Sequence, residues 1–257
     1  MNADNFTLEK YFDRIAYIGK ADKDIATLTD IMRCQLFSVP FENLDVQAGK
    51  IVSLVPEEIV EKILMQRRGG YCYEVNGIFA MALQELGVPY KFVAARPMTY
   101  PVRRPKTHMA VVAEVEGKEW LFDLGFGSSG IRAPMRLDEV DIVIRQDADK
   151  YMLSKSSNGV YLLKAFVDGK WANQYEFDLY LQEWIDFVPA NYLNSTHPDS
   201  IFVKKLLVVL QNPTGREILC DDTLKSIVNG ESTQQVISME NRASILAARF
   251  GLFVPHQ

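Results

Sequence analysis

Three residue types in this chain can combine into nucleophilic chemistry: a cysteine after a glycine pair, a histidine heading an apolar strand, and an aspartate one hairpin away. The cysteine lies in Arg67-Arg68-Gly69-Gly70-Tyr71-Cys72-Tyr73-Glu74-Val75-Asn76. Two glycines let the backbone turn sharply and approach a ligand closely. Cys72 then falls at the start of a helical pattern. Unpaired N–H groups and partial positive charge at that end favour thiolate, the nucleophilic form. The same N–H groups can hold an oxyanion. Taken alone, Cys72 also reads as a small buried hydrophobe, as do Cys34 and Cys220.

A cysteine nucleophile needs a base, and the base needs orienting. The chain has three histidines. His256 is penultimate, where chains usually fray. His197 sits in Ser195-Thr196-His197-Pro198, a turn. His108 opens an apolar strand running to Val115. Glu116-Gly117 can turn that strand into the next, from Lys118. With a two-residue turn Val115 faces Lys118, and counting back sets Ala110 opposite Asp123. His108 shares a face with Ala110. His108 and Asp123 are then diagonal neighbours, roughly 7–8 Å apart at the backbone, a gap that two short side chains can close. A one-residue slip would send Asp123 to the other face. Separately, His108 reads as a strand-end surface residue and Asp123 as a turn former before Gly125. Together with a cysteine at a helix start, a Cys72–His108–Asp123 triad is the better reading: a thiolate–imidazolium pair held by a carboxylate.

The flanks of this trio have two readings each. Arg103, Arg104 and Lys106 are cations just before His108; they can meet phosphates or form a solvated loop. Gly125-Phe126-Gly127-Ser128-Ser129-Gly130 can cradle a pyrophosphate through its backbone or serve as a long polar turn. It does not match the spacing of either nucleotide-binding fingerprint.

The elements that must position these residues change period along the chain. Helical spacing runs over Asn5 to Ile15 and Ile25 to Phe37, where Pro40 ends it. Pro56-Glu57-Glu58 opens a third helix, which stops at Gly69-Gly70. A fourth runs from Cys72 to Leu86, and Gly87-Val88-Pro89 ends it. The period then drops to about 2, with strands expected at Tyr90 to Ala95, His108 to Val115 and Lys118 to Leu124. Two more flank an Asp168-Gly169 turn, Tyr161 to Asp168 and Trp171 to Phe177. Tyr180 to Tyr192 reads as helix or irregular. Short strands follow at Leu206 to Leu210 and Arg216 to Cys220, then a closing helix over Met239 to Phe250. Helices first, antiparallel strands next and a mixed tail form an α+β layout.

Bulk composition narrows the class. With 257 residues, 48% hydrophobic and 24% charged, the chain can bury a sizeable core without disulfides or structural metal. A net charge of −5 lacks the dominant basic field that nucleic-acid binding requires. No apolar run approaches the ~20 residues of a membrane span. The N-terminus lacks a basic-then-apolar secretion signal, so the cytoplasm is expected, with three free thiols. No Cys-x-x-Cys pair exists, so no metal site is expected.

Four separated segments carry a family likeness: Pro40-Phe41-Glu42-Asn43-Leu44; Arg68-Gly69-Gly70-Tyr71-Cys72-Tyr73-Glu74-Val75-Asn76; Thr107-His108-Met109; and Asp123-Leu124-Gly125-Phe126-Gly127. In order and separation the chain resembles the arylamine N-acetyltransferase family over roughly its first half; the second half is similar by layout only. The resemblance implies an N-terminal helical bundle (1–88), a central antiparallel β-barrel (89–195) and a C-terminal α/β lid (196–257) around a cysteine-protease-like Cys-His-Asp core. It implies the triad Cys72, His108 and Asp123, acetyl-CoA as donor, and an aromatic amine, hydrazine or hydroxylamine as acceptor, in xenobiotic metabolism. Phe41, Tyr71 and Phe126 are expected at the acceptor; Arg103, Arg104, Lys106, Gly125 and Gly127 at the coenzyme. Glu42 and Arg68 look like a structural ion pair of the family. A monomer or weak homo-oligomer is expected. A cysteine hydrolase, a transglutaminase-like enzyme, an amide synthase or a non-catalytic binding module are the competing readings.

Overall fold

The computed structural model describes residues 1–253; His256 lies outside the described residues. The N-terminal third is helical: α1 Leu8–Ile15, α2 Ile25–Ser38, then a two-residue strand β1 Phe41–Glu42, α3 Leu44–Gln47, α4 Pro56–Val60 continued by a π-helical turn Glu61–Met65, and α5 Cys72–Glu85. Local chemistry sets the starts. Thr7 accepts the Lys10 N–H at the head of α1, and Asp24 accepts the Thr27 N–H at the head of α2. α5 differs from the others because every residue from Cys72 to Leu83 is buried. A helix that is apolar nearly all round belongs in the centre of the core.

Around α5 curls a sheet of eight strands: β2 Tyr90–Pro97, β3 His108–Val115, β4 Lys118–Phe122, β5 Met135–Arg136, β6 Ile144–Gln146, β7 Asp149–Lys155, β8 Tyr161–Val167 and β9 Lys170–Phe177. The order is β5-β4-β3-β2-β9-β8-β7-β6. Among the described residues the end strands β5 and β6 do not pair, so the expected barrel is an open half-barrel instead. The hairpin from β3 to β4 has the expected register, Val115 opposite Lys118 and Val111 opposite Phe122. Glu116 and Gly117 both have positive φ, 53° and 71°, the turn whose twist suits a two-residue hairpin. β4 ends at Phe122, two residues before the end expected from sequence.

The remainder comprises α6 Val188–Thr196, α7 Ile201–Lys204, β10 Leu207–Asn212, β11 Gly215–Cys220, β12 Thr223–Val228, β13 Glu231–Val236 and α8 Arg242–Phe250. α6 runs across the boundary expected between 195 and 196. β10 to β13 form a meander whose β10 edge is taken by β1, with Phe41 opposite Val209 and Glu42 opposite Val208. α8 covers a small core of its own, Leu246 and Phe250 packing with Val208, Leu219 and Leu224. Beneath β1, Glu42 pairs with Arg68 at 2.7 Å, and Lys62 bridges Asp45 and Glu74, each at 2.6 Å. These buried and half-buried charges tie the first helices to the segment leading into α5. Among the described residues no helix is long and apolar enough to cross a membrane.

Candidate active site

Cys72 is the first residue of α5. The helix start is fixed from behind: Glu74 accepts the Tyr71 N–H at 3.0 Å while holding Lys62. From the front, Gly125 packs directly on it. A Cβ built at Gly125 would stand 2.5 Å from the Cys72 Cα. Glycine is needed there for close approach of two backbones, not for a turn. Gly125→Ala is therefore expected to push the residues after β4 off the helix start and slow turnover about 10²-fold. An unchanged rate and melting temperature in that variant would mean the contact is slack.

His108 and Asp123 meet across the hairpin, Nε2 to Oδ2 at 2.8 Å, with both side chains buried. Asp123 Oδ1 accepts the Gly125 N–H at 3.0 Å and an N–H of the Asn76 amide at 3.1 Å. Burial alone would lower the pKa of His108. The Asp123 carboxylate and the neighbouring Cys72, within hydrogen-bonding reach, overcome this and push it up to about 10. Burial likewise opposes ionisation of Asp123, yet His108, the Gly125 N–H and Asn76 hold it below the ordinary carboxylate value. Both shifts favour the imidazolium and carboxylate forms of the pair. Cys72 itself is 2% exposed, so only a ligand entering the cleft reaches it.

That cleft has a volume of about 390 Å³. Cys72, His108, Gly125, Phe41 and Phe126 line it, as does Arg104. The rings of His108, Phe126 and Tyr175 form a triangle with centroids 4.8 to 5.1 Å apart. Sequence reading missed Tyr175, which sits unremarked in an alternating strand. It also missed Asn194, Ile201 and Phe202, which the α6–α7 segment brings over the cleft; nothing in their local pattern signals this.

Other expected site residues lie elsewhere. Tyr71 does not line the cleft. It is wholly buried, its ring packs on Tyr73 and Phe202, and its hydroxyl meets Asn191 and Ser195. It supports the cleft floor, because the turn into α5 points its side chain inward. Of the three cations before His108, Arg104 alone lines the cleft, its guanidinium over the Tyr100 ring at 5.1 Å. Arg103 pairs with Glu176 at 2.6 Å and Lys106 with Asp178 at 2.5 Å. Gly127, with φ +86°, shapes the loop that brings Ser128 and Ser129 to the rim.

The profile of the N-acetyltransferase family matches residues 24–257. The chain belongs to the arylamine N-acetyltransferase family. It is 31% identical over 252 residues to the arylamine N-acetyltransferase of Escherichia coli, covering 96% of this chain and 89% of that one. The Mycobacterium tuberculosis enzyme is 33% identical over 257 residues, with the same two coverages. The solved arylamine N-acetyltransferase of Salmonella typhimurium superposes with a TM-score of 0.91 at 28% identity, covering 95% of this chain and 90% of that one. That of Mycobacterium marinum, solved in complex with CoA, gives 0.89 at 31% identity, with 95% and 92% covered. For an arylamine N-acetyltransferase the half-barrel and helices are therefore the expected frame, and acetyl transfer the expected chemistry.

Proposed function

We propose that this family member carries an acetyl group from acetyl-CoA to the amino group of an arylamine, arylhydrazine or arylhydroxylamine, through acetyl-Cys72. The observation that carries the reading is the buried His108–Asp123 pair beside a cysteine at a helix start, at the bottom of a cleft walled by aromatic rings. In the resting site His108 holds the Cys72 proton as imidazolium, and Asp123 fixes its orientation and offsets its charge. The thiolate attacks the acetyl carbonyl carbon, and N–H groups at the start of α5 stabilise the oxyanion. The bond from carbonyl carbon to coenzyme sulfur breaks, and the leaving thiolate takes the proton from His108. Neutral His108 then accepts a proton from the incoming amine as it attacks the acetyl-cysteine. The amide leaves, and thiolate and imidazolium are restored.

The thioester stays reactive enough for a weakly nucleophilic arylamine, provided water is kept out. Phe41, Phe126 and Phe202 suit both tasks, since an aromatic acceptor packs on them and water does not. Arg104 is the cation we assign to the coenzyme side. Arg103 and Lys106 can join it only by releasing Glu176 and Asp178.

Intact mass spectrometry of the protein mixed with acetyl-CoA, followed by peptide mapping, tests this reading. One acetyl group on Cys72, discharged when an arylamine is added, is the expected result. Neither adduct nor released CoA would remove acetyl-CoA as donor and bring the cysteine hydrolase reading forward.

A further inference from the structure

Strands β3 and β4 stop pairing just short of the residues that matter. Their ladder runs from Val115 opposite Lys118 to Val111 opposite Phe122. In a hairpin closed by a two-residue turn, every second pair from the turn exchanges backbone hydrogen bonds. Counting from Val115 and Lys118, Met109 and Leu124 are the next such pair after Val111 and Phe122. The ladder does not reach them. The side-chain amide of Asn76 stands between the two strands instead. Its Nδ2 donates to the Met109 carbonyl at 2.8 Å, and its Oδ1 accepts the Leu124 N–H at 2.8 Å. One donor and one acceptor are what a peptide group would offer there. Nδ2 also donates to Asp123 Oδ1 at 3.1 Å.

Asn76 is wholly buried on α5, four residues after Cys72 and so on the same helical face. It does not line the cleft. Its three partners are the residue after His108, Asp123 itself and the residue after Asp123. We propose that Asn76 is the positioning residue of the site: its amide replaces a backbone link between the two strands and anchors their splayed end, with His108 and Asp123, to the helix bearing Cys72. The inserted amide accounts for the early end of β4. It also leaves the carboxylate one oxygen for His108, because the other is taken by Asn76 and Gly125.

This inference rests on the triad of the proposed function, but the alkylation part of its test needs no acyl donor. The rate of Cys72 alkylation by iodoacetamide is measured against pH for the wild type, Asn76→Ala and Asn76→Asp, beside melting temperature and steady-state kinetics. The titratable and charged groups around the site are Cys72 on α5, Asp123 after β4, Tyr175 on β9, and Tyr100 and Arg104 in the cleft lining; both substitutions leave all five unchanged. With Asn76→Ala the alkylation profile is expected to move to higher pH, and kcat to fall about 10²-fold with KM for acetyl-CoA little changed. A folded variant with lowered melting temperature but wild-type profile and kcat would overturn the proposal and leave Asn76 a structural residue. If Asn76→Ala does not fold, Asn76→Asp keeps the shape and can still accept from Leu124, but sets a second carboxylate against Asp123. Its profile must also be displaced, and a wild-type profile there overturns the proposal equally. Should the wild type take no acetyl group from acetyl-CoA, the donor assignment fails while the alkylation profiles still decide the role of Asn76.

Discussion

Cys72→Ala and Cys72→Ser are expected to lose acetyl transfer almost entirely, by a factor on the order of 10⁶, as when the nucleophile of a triad is removed, while keeping the fold. The loss follows from chemistry. Alanine has no atom to carry the acetyl group, and serine offers a hydroxyl whose proton His108 cannot hold at neutral pH. The fold should survive because the side chain is small and packs at a helix end rather than filling a large void. The melting temperature should move by only about 2–4 °C, the shift for roughly 1 kcal/mol in a domain of this size. Turnover of an arylamine with acetyl-CoA, circular dichroism and the intact mass of each variant check this. Normal turnover in either variant, or an acetyl adduct on another residue, would remove Cys72 as acyl carrier.

Asp123→Asn should cut the rate by about 10⁴-fold, the cost of the equivalent change in a serine-protease triad. The amide keeps the shape of the carboxylate but can turn an N–H toward His108 Nε2, selecting the wrong tautomer and withdrawing the negative charge. Burial would then lower the pKa of His108 with only Cys72 left to oppose it. A stability signature follows. In the wild type the His108 value is raised from 6.5 to about 10, so its contribution is complete below pH 6.5 and is lost as pH rises through about 10. Asp123, with a lowered value, contributes above the ordinary carboxylate range and loses that contribution as acid protonates it. Melting temperatures between pH 6.5 and 10 should therefore fall more steeply for the wild type than for Asp123→Asn. Parallel curves together with a near-normal rate would take Asp123 out of the triad.

The three elements that hold this site were legible because each is specified locally. The glycine pair before Cys72, the helical period after it and the Glu116-Gly117 turn all act within a few residues. Since a two-residue turn leaves one register, the meeting of His108 and Asp123 could be counted from the sequence. The same logic reached the Asp168-Gly169 hairpin. Asn229-Gly230 carries the same signal, both residues having positive φ, but β13 was not foreseen: all six residues from Glu231 to Val236 are exposed, so no face alternates. β7 carries a local signal, with Tyr151 and Leu153 buried at period 2.

What the sequence determined, then, is the local frame of the candidate site: a cysteine at a helix start, and a histidine and an aspartate at the open end of one hairpin. The tertiary structure decided which neighbours share in it. Arg103 and Lys106 look like free cations until β9 and its exit bring Glu176 and Asp178, some seventy residues away in the chain, within ion-pair distance. Tyr71 looks like a cleft wall until the turn into α5 buries it. Asn76 looks like an ordinary helical polar residue until two strands arrive on either side of its amide. Hydrogen-bond and charge partners from distant segments are selected by proximity in the folded chain, and local spacing carries no record of that proximity.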